Sequence, residues 1–125
     1  MIVLDSSALL AYLGGEPGGE RVGEAIEEGC LSTVNLAEAL TVHARRGKDP
    51  ADFLSLIHRT GIEIVPYTDE LALRTAALEP ITRPLGLSLG DRACLALALA
   101  RGVTALTADR TWRKLKLGVE IEAIR

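Results

Sequence analysis

Aromatic residues are nearly absent: one Phe, one Trp and two Tyr make up 3% of the 125-residue chain. So few rings exclude the base-stacking platforms of RRM and OB type. Cysteine is as scarce, and Cys30 and Cys94 form neither a C-x-x-C pair nor a disulfide framework. Both read as small buried hydrophobes. The two histidines, His43 and His58, are isolated and there is no H-E-x-x-H, so the common zinc patterns are missing and each histidine reads as a surface residue. The longest apolar run, Ala93 to Ala100, falls far short of the roughly 18 residues of a membrane span. Asp5 stands where a signal peptide would be most apolar, and no basic segment precedes it. The expected location is the cytoplasm, with no membrane partner.

What is present describes one globular unit. Hydrophobic residues make up 48% and charged residues 25% of the chain, ordinary values for a folded domain. A chain of 125 residues can build one self-sufficient core and not two, so residues 1–125 are expected to form a single domain. The formal net charge of −3 at first argues against a nucleic-acid partner. That argument lapses if metal neutralises four of the carboxylates, because the remainder is then slightly basic.

Along the chain, short apolar strands alternate with helical patterns. Strands are expected at Ile2–Leu4, Cys30–Ser32, Ile62–Val65, Val103–Thr107 and Val119–Ile124. Helices are expected after a cap at Ser6 or Ser7, over Glu20–Glu28, from a Thr33 cap to Arg46, and from Asp49-Pro50 to Gly61. Two more follow, from Thr68 or Asp69 to Glu79 and from Ser88 to Arg101, with Pro80 and Pro84 bracketing a loop. Val, Ile and Leu on both faces of the strands predict an α/β fold, a parallel sheet covered by helices on both sides.

Most acids have plain explanations as caps or solvated faces, and four do not. Asp5 and Asp109 end buried strands, the edge at which parallel sheets bind ligands, although either could simply cap the segment that follows. Glu38 falls in line with Val34 and Val42 on a sheet-facing stripe, where a carboxylate is costly unless something compensates it, such as Arg45. Asp91 opens the most apolar helix, and Ser88-x-x-Asp91 also reads as a capping box. All four can converge on one sheet edge. Like charges about 4 Å apart repel by roughly 4 kcal/mol at an effective dielectric near 20, so such a cluster binds protons or cations. Ligands that are all oxygen select hard divalent ions, Mg²⁺ or Mn²⁺.

The segments that carry these acids are Leu4-Asp5-Ser6-Ser7-Ala8-Leu9-Leu10, Ser32-Thr33-Val34-Asn35-Leu36-Ala37-Glu38, Leu87-Ser88-Leu89-Gly90-Asp91-Arg92-Ala93-Cys94-Leu95-Ala96 and Leu106-Thr107-Ala108-Asp109. In order and spacing the chain resembles the PIN-domain family, most of all the VapC-type toxin ribonucleases of toxin–antitoxin pairs. The resemblance implies a metal-dependent endoribonuclease whose acidic pocket is Asp5, Glu38, Asp91 and Asp109, both as catalytic residues and as ligands of Mg²⁺ or Mn²⁺. Ser6 and Thr107 would support the pocket through hydrogen bonds to a carboxylate or to water on the metal. It further implies an RNA substrate, products with 5′-phosphate and 3′-hydroxyl ends, a cognate antitoxin and a homodimer. Arg110, Arg113, Lys114 and Lys116, with no acid among them, follow Asp109 and are candidates to contact RNA phosphates, if they are not merely a solvated face. The alternatives are a non-catalytic RNA- or protein-binding module of the same fold and a Mg²⁺-binding phosphoacceptor receiver domain. The receiver reading lacks a second acid beside Asp5, where Ser6 and Ser7 stand instead.

Overall fold

The computed structural model describes residues 1–125. In chain order the elements are β1 (Ile2–Leu4), α1 (Ser6–Leu13), α2 (Gly19–Gly23), β2 (Gly29–Ser32), α3 (Thr33–Arg45), α4 (Pro50–Arg59) and β3 (Glu63–Val65). They continue with α5 (Asp69–Ala77), α6 (Glu79–Thr82), α7 (Leu89–Arg101), β4 (Thr104–Thr107) and β5 (Ile121–Ala123). Single turns of 3-10 helix occupy Ile26–Glu28, Arg83–Leu85 and Arg110–Lys114.

The five strands form one sheet in the order β3-β2-β1-β4-β5, and every pairing is parallel. The period of two in a strand decides which core each side chain joins. Ile2, Leu4, Leu31 and Leu106 meet Ala8, Leu9, Ala39, Phe53 and Ile57 on the face covered by α1, α3 and α4. Val3, Cys30 and Ala105 turn the other way, toward Leu71, Trp112 and the buried run Cys94–Ala98 of α7. A helix apolar nearly all round is what that central position demands. Both cysteines are buried and free, and burial pushes both thiols up from their ordinary pKa.

The elements depart from expectation in places that have physical causes. The helix expected over Glu20–Glu28 ends at Gly23, and a 3-10 turn at Ile26 carries the chain into β2; Gly23 lies close against the Tyr12 ring. Ser32, not Thr33, caps α3, its Oγ accepting from Val34 N at 3.2 Å, while Thr33 Oγ1 accepts from Tyr67 N at 3.1 Å. Pro80 lies in the first turn of α6 instead of bounding a loop, because the first-turn N–H groups have no partner within the helix. His43 is not a plain surface residue: it stacks on Phe53, ring centroids 4.1 Å apart, joining α3 to α4.

From β1 the chain moves outward to β2 and β3, then returns to the other side for β4 and β5. The direction of winding therefore reverses between β1 and β4. Ligands of open parallel sheets bind at the carboxyl ends of the strands flanking such a reversal, and those ends here carry Asp5 and Thr107.

Candidate active site

Asp5 is the residue between β1 and α1. It occupies the N-cap position of α1, yet its side chain makes no capping bond. The carboxylate instead lies buried, 3% exposed, at the winding reversal. Oδ2 accepts from Ser7 Oγ at 2.5 Å and from Thr107 Oγ1 at 3.0 Å. Both hydroxyls are themselves held, because Ala108 N donates to Ser7 Oγ at 3.0 Å and Asp109 N to Thr107 Oγ1 at 3.1 Å. Oδ1 has no hydrogen-bond partner. Burial raises the Asp5 pKa to about 6, and the negative charges of Asp91 and Glu38 add to the rise against the lowering effect of the two hydroxyls.

Glu38 projects from α3 and is held at one oxygen. Its Oε1 accepts from Ser6 Oγ at 3.1 Å and from Asn35 Nδ2 at 2.9 Å. The same Asn35 amide donates to Gly90 O at 2.9 Å, so one fully buried side chain ties α3 to the first turn of α7. At Gly90 the Glu38 carboxyl fills the space of a side chain: a Cβ there would fall 2.1–2.4 Å from its atoms. A glycine in a first helical turn costs about 1 kcal/mol relative to alanine, and here it admits the carboxylate.

The other two acids are held differently. Asp91 completes a capping box with Ser88, its Oδ2 accepting from Ser88 N at 2.9 Å while Ser88 Oγ accepts from Asp91 N at 3.2 Å. Asp109 is exposed and caps the following 3-10 turn, accepting at Oδ1 from Thr111 N at 2.9 Å and Thr111 Oγ1 at 2.8 Å. Glu38 and Asp91 thus come within electrostatic range of Asp5, whereas Asp109 is linked to Asp5 only by its backbone N–H, through Thr107 Oγ1. No three His, Cys, Asp or Glu side chains stand together as a closed ligand set, and one oxygen each of Asp91 and Asp109 is taken up by a backbone amide.

The donors nevertheless fit a hard divalent cation. They are all oxygens, Asp5 Oδ1 is a buried acceptor without a donor, and no cation is among the groups that perturb Asp5. Water or protein normally satisfies such an oxygen.

The basic residues have distinct placements. Arg92, next to Asp91, points away from it: Nη1 donates to Thr75 O at 3.1 Å and Nε lies 3.2 Å from Glu79 Oε2, an ion pair without hydrogen-bond alignment. Arg110 Nε donates to the Arg125 carbonyl at 2.8 Å, and Arg113, Lys114 and Lys116 are exposed. Sequence reasoning offered Ser7 only as a possible cap of α1, a place Asp5 occupies instead, and did not single out Asn35 or Gly90. The signals available were a second hydroxyl beside Asp5, an amide one turn before Glu38 and the helical glycine beside Asp91.

The family model of the PIN domain matches residues 2–117. This chain belongs to the PIN domain family. Among curated PIN-type relatives, VapC ribonuclease Mb0640 of Mycobacterium bovis and Ribonuclease VapC30 of Mycobacterium tuberculosis are each 33% identical over 109 residues, covering 80% of this chain and 82% of theirs. A toxin–antitoxin complex from Klebsiella pneumoniae shares the PIN fold with a TM-score of 0.78 at 17% identity, over 100% of this chain and 98% of that one. DNA-bound VapBC from Salmonella typhimurium gives 0.73 at 19%, over 99% and 98%. The expected α/β sheet covered on both faces is the architecture observed.

Proposed function

We propose that this PIN domain is a metal-dependent endoribonuclease and the toxin of a type II toxin–antitoxin pair. The observation that carries the reading is Asp5: a buried carboxylate at the winding reversal, with one oxygen fixed by two hydroxyls and the other without a partner. The ribonuclease relatives at 33% identity support the chemistry, and the toxin–antitoxin complexes of the same fold support a protein antitoxin as partner.

Asp5, Glu38, Asp91 and Asp109 are the residues that would hold Mg²⁺ or Mn²⁺. When bound, such an ion lowers the pKa of its water and polarises a phosphodiester oxygen. The residues of the chain supply the rest. Ser7 and Thr107 keep Asp5 oriented and favour its ionised form against burial. Ser6 and Asn35 hold Glu38 at Oε1, leaving Oε2 to bind metal or orient the attacking water. To hold the ion, Asp91 and Asp109 would give up backbone amide contacts worth about 1 kcal/mol each as caps. Attack by water on phosphorus with departure of the 3′-oxygen, which takes up a proton, leaves 5′-phosphate and 3′-hydroxyl ends. No helix is long and apolar enough to cross a membrane, in keeping with a cytoplasmic enzyme, and a homodimer is the expected assembly. Arg113, Lys114 and Lys116 offer exposed positive charge to phosphates.

The purified chain, freed of antitoxin, should cleave single-stranded RNA in Mg²⁺ or Mn²⁺ and not in EDTA, with 5′-phosphate products. Equal cleavage in EDTA, or cyclic-phosphate ends, would overturn the metal reading. No cleavage of any RNA by a folded, metal-binding chain would favour the non-catalytic module.

A further inference from the structure

A second feature adjoins Glu38. Val34, Glu38, Thr41, Val42 and Arg45 recur at three- and four-residue spacing, so they share one flank of α3. With Ser6 from the first turn of α1, that flank borders an open cleft of about 570 Å³. Val34, Ala37 and Val42 give it apolar wall between the polar Ser6, Thr41 and Arg45, and Glu38, which belongs to the acidic set, lines it as well.

The two hydroxyls in this cleft have already committed their single protons. Ser6 Oγ donates to Glu38 Oε1 at 3.1 Å, and Thr41 Oγ1 donates to Ala37 O at 2.7 Å. Toward a ligand each offers only lone pairs. Such a cleft favours a ligand that brings hydrogen-bond donors. Arg45, at the far end, pairs with no carboxylate of the chain; the Glu38–Arg45 pairing considered from sequence does not form. Seven residues of helix place Arg45 about 10 Å along the axis from Glu38, close to three steps of a stacked strand at roughly 3.4 Å each.

We propose that this cleft is an RNA subsite: it receives about three nucleotides of single-stranded RNA beside the bond to be cut, with Arg45 on a phosphate and the Thr41 oxygen accepting from a ribose 2′-hydroxyl. The inference rests on the ribonuclease reading and deepens it. It makes the flank of α3 part of the RNA path and gives a reason for choosing RNA over DNA, whose sugar lacks the 2′ donor. Arg46 supplies the internal comparison, because it is adjacent, equally cationic and exposed, and does not line the cleft.

The test is fluorescence anisotropy with a short single-stranded RNA and the DNA of the same sequence, with Ca²⁺ replacing Mg²⁺ to suppress turnover, and with circular dichroism to check folding. Arg45→Ala should weaken RNA binding about tenfold and reduce the log–log salt slope by about one, while Arg46→Ala changes neither. Thr41→Val, at an exposed position, should lower the RNA-to-DNA affinity ratio by weakening RNA alone. Equal effects of Arg45→Ala and Arg46→Ala, an unchanged ratio in Thr41→Val, or an effect of Arg45→Ala on antitoxin binding only, would each overturn the subsite. Cleavage distinguishes the two levels of the argument. Wild-type RNA cleavage with variants that bind normally overturns the subsite and spares the ribonuclease; the predicted binding changes without cleavage in Mg²⁺ or Mn²⁺ do the reverse.

Discussion

Asp5 and Glu38, compared with Asp91 and Asp109, show two ways for one fold to place a carboxylate at a sheet edge. The first pair is held by side chains: Ser7 and Thr107 for Asp5, Ser6 and Asn35 for Glu38. The second pair is held by backbone amides at the starts of helical segments. Side-chain anchors fix one oxygen and leave the other for a ligand, and they hold a charge in a buried place at a cost in stability. Amide caps stabilise the fold, so those acids would exchange one favourable contact for another on binding a cation. Asp5, the only fully buried acid of the four, and the half-buried Glu38 are thus positioned by side chains alone, whereas Asp91 and Asp109 also serve the starts of helical segments.

The strongest break of this comparison is at Asp5. Asp5→Asn should reduce metal-dependent RNA cleavage by on the order of a thousandfold or more with the circular dichroism spectrum unchanged. Near wild-type cleavage would remove Asp5 from the site.

At Asn35 the side-chain anchoring itself is tested. Asn35→Asp keeps the shape but removes both donated hydrogen bonds and buries another negative charge, so it should cost about 3–5 kcal/mol in chemical denaturation without metal. A loss below about 1 kcal/mol would mean that the amide does not organise Glu38 and Gly90.

The raised pKa of Asp5 gives a signed pH dependence. The folded state binds this proton more tightly than the unfolded chain does, so the contribution is fully present below about pH 4 and is lost as pH rises through about 6. Across that window and without divalent metal, the wild type should lose about 3 kcal/mol relative to Asp5→Asn. Parallel stability profiles of the two proteins would show that Asp5 is not the strained carboxylate.

The smallest effect on stability belongs to Asp91. An amide oxygen can still accept from Ser88 N, so Asp91→Asn should cost less than about 1 kcal/mol without metal. It should nonetheless diminish the rise in melting temperature that Mg²⁺ or Mn²⁺ produces by binding the native state. An undiminished rise with retained cleavage would confine Asp91 to its capping role.

The four acids were legible in the sequence because each follows a local pattern: an apolar strand ending in Asp, a helical stripe interrupted by Glu, a Ser-x-x-Asp helix start. Strand periodicity likewise marked the sheet and its two covered faces, because alternate side chains must find opposite cores. Local chemistry also announced the Asp49-Pro50 helix start and the Ser88 capping box, both observed. How distant residues share protons and space follows from the packing of the folded chain. Ser6 serves Glu38 and Ser7 serves Asp5, although neighbouring identical serines carry no mark of their partners. Asn35 binds across 55 positions to Gly90, and the glycine matters because a carboxylate from another helix occupies its missing side chain. The raised pKa of Asp5 depends on burial and on the charges of Asp91 and Glu38 from two other segments, brought together by the order β3-β2-β1-β4-β5. Periodicity along one chain fixes which face a residue shows, whereas hydrogen bonds and desolvation depend on which other face arrives opposite it.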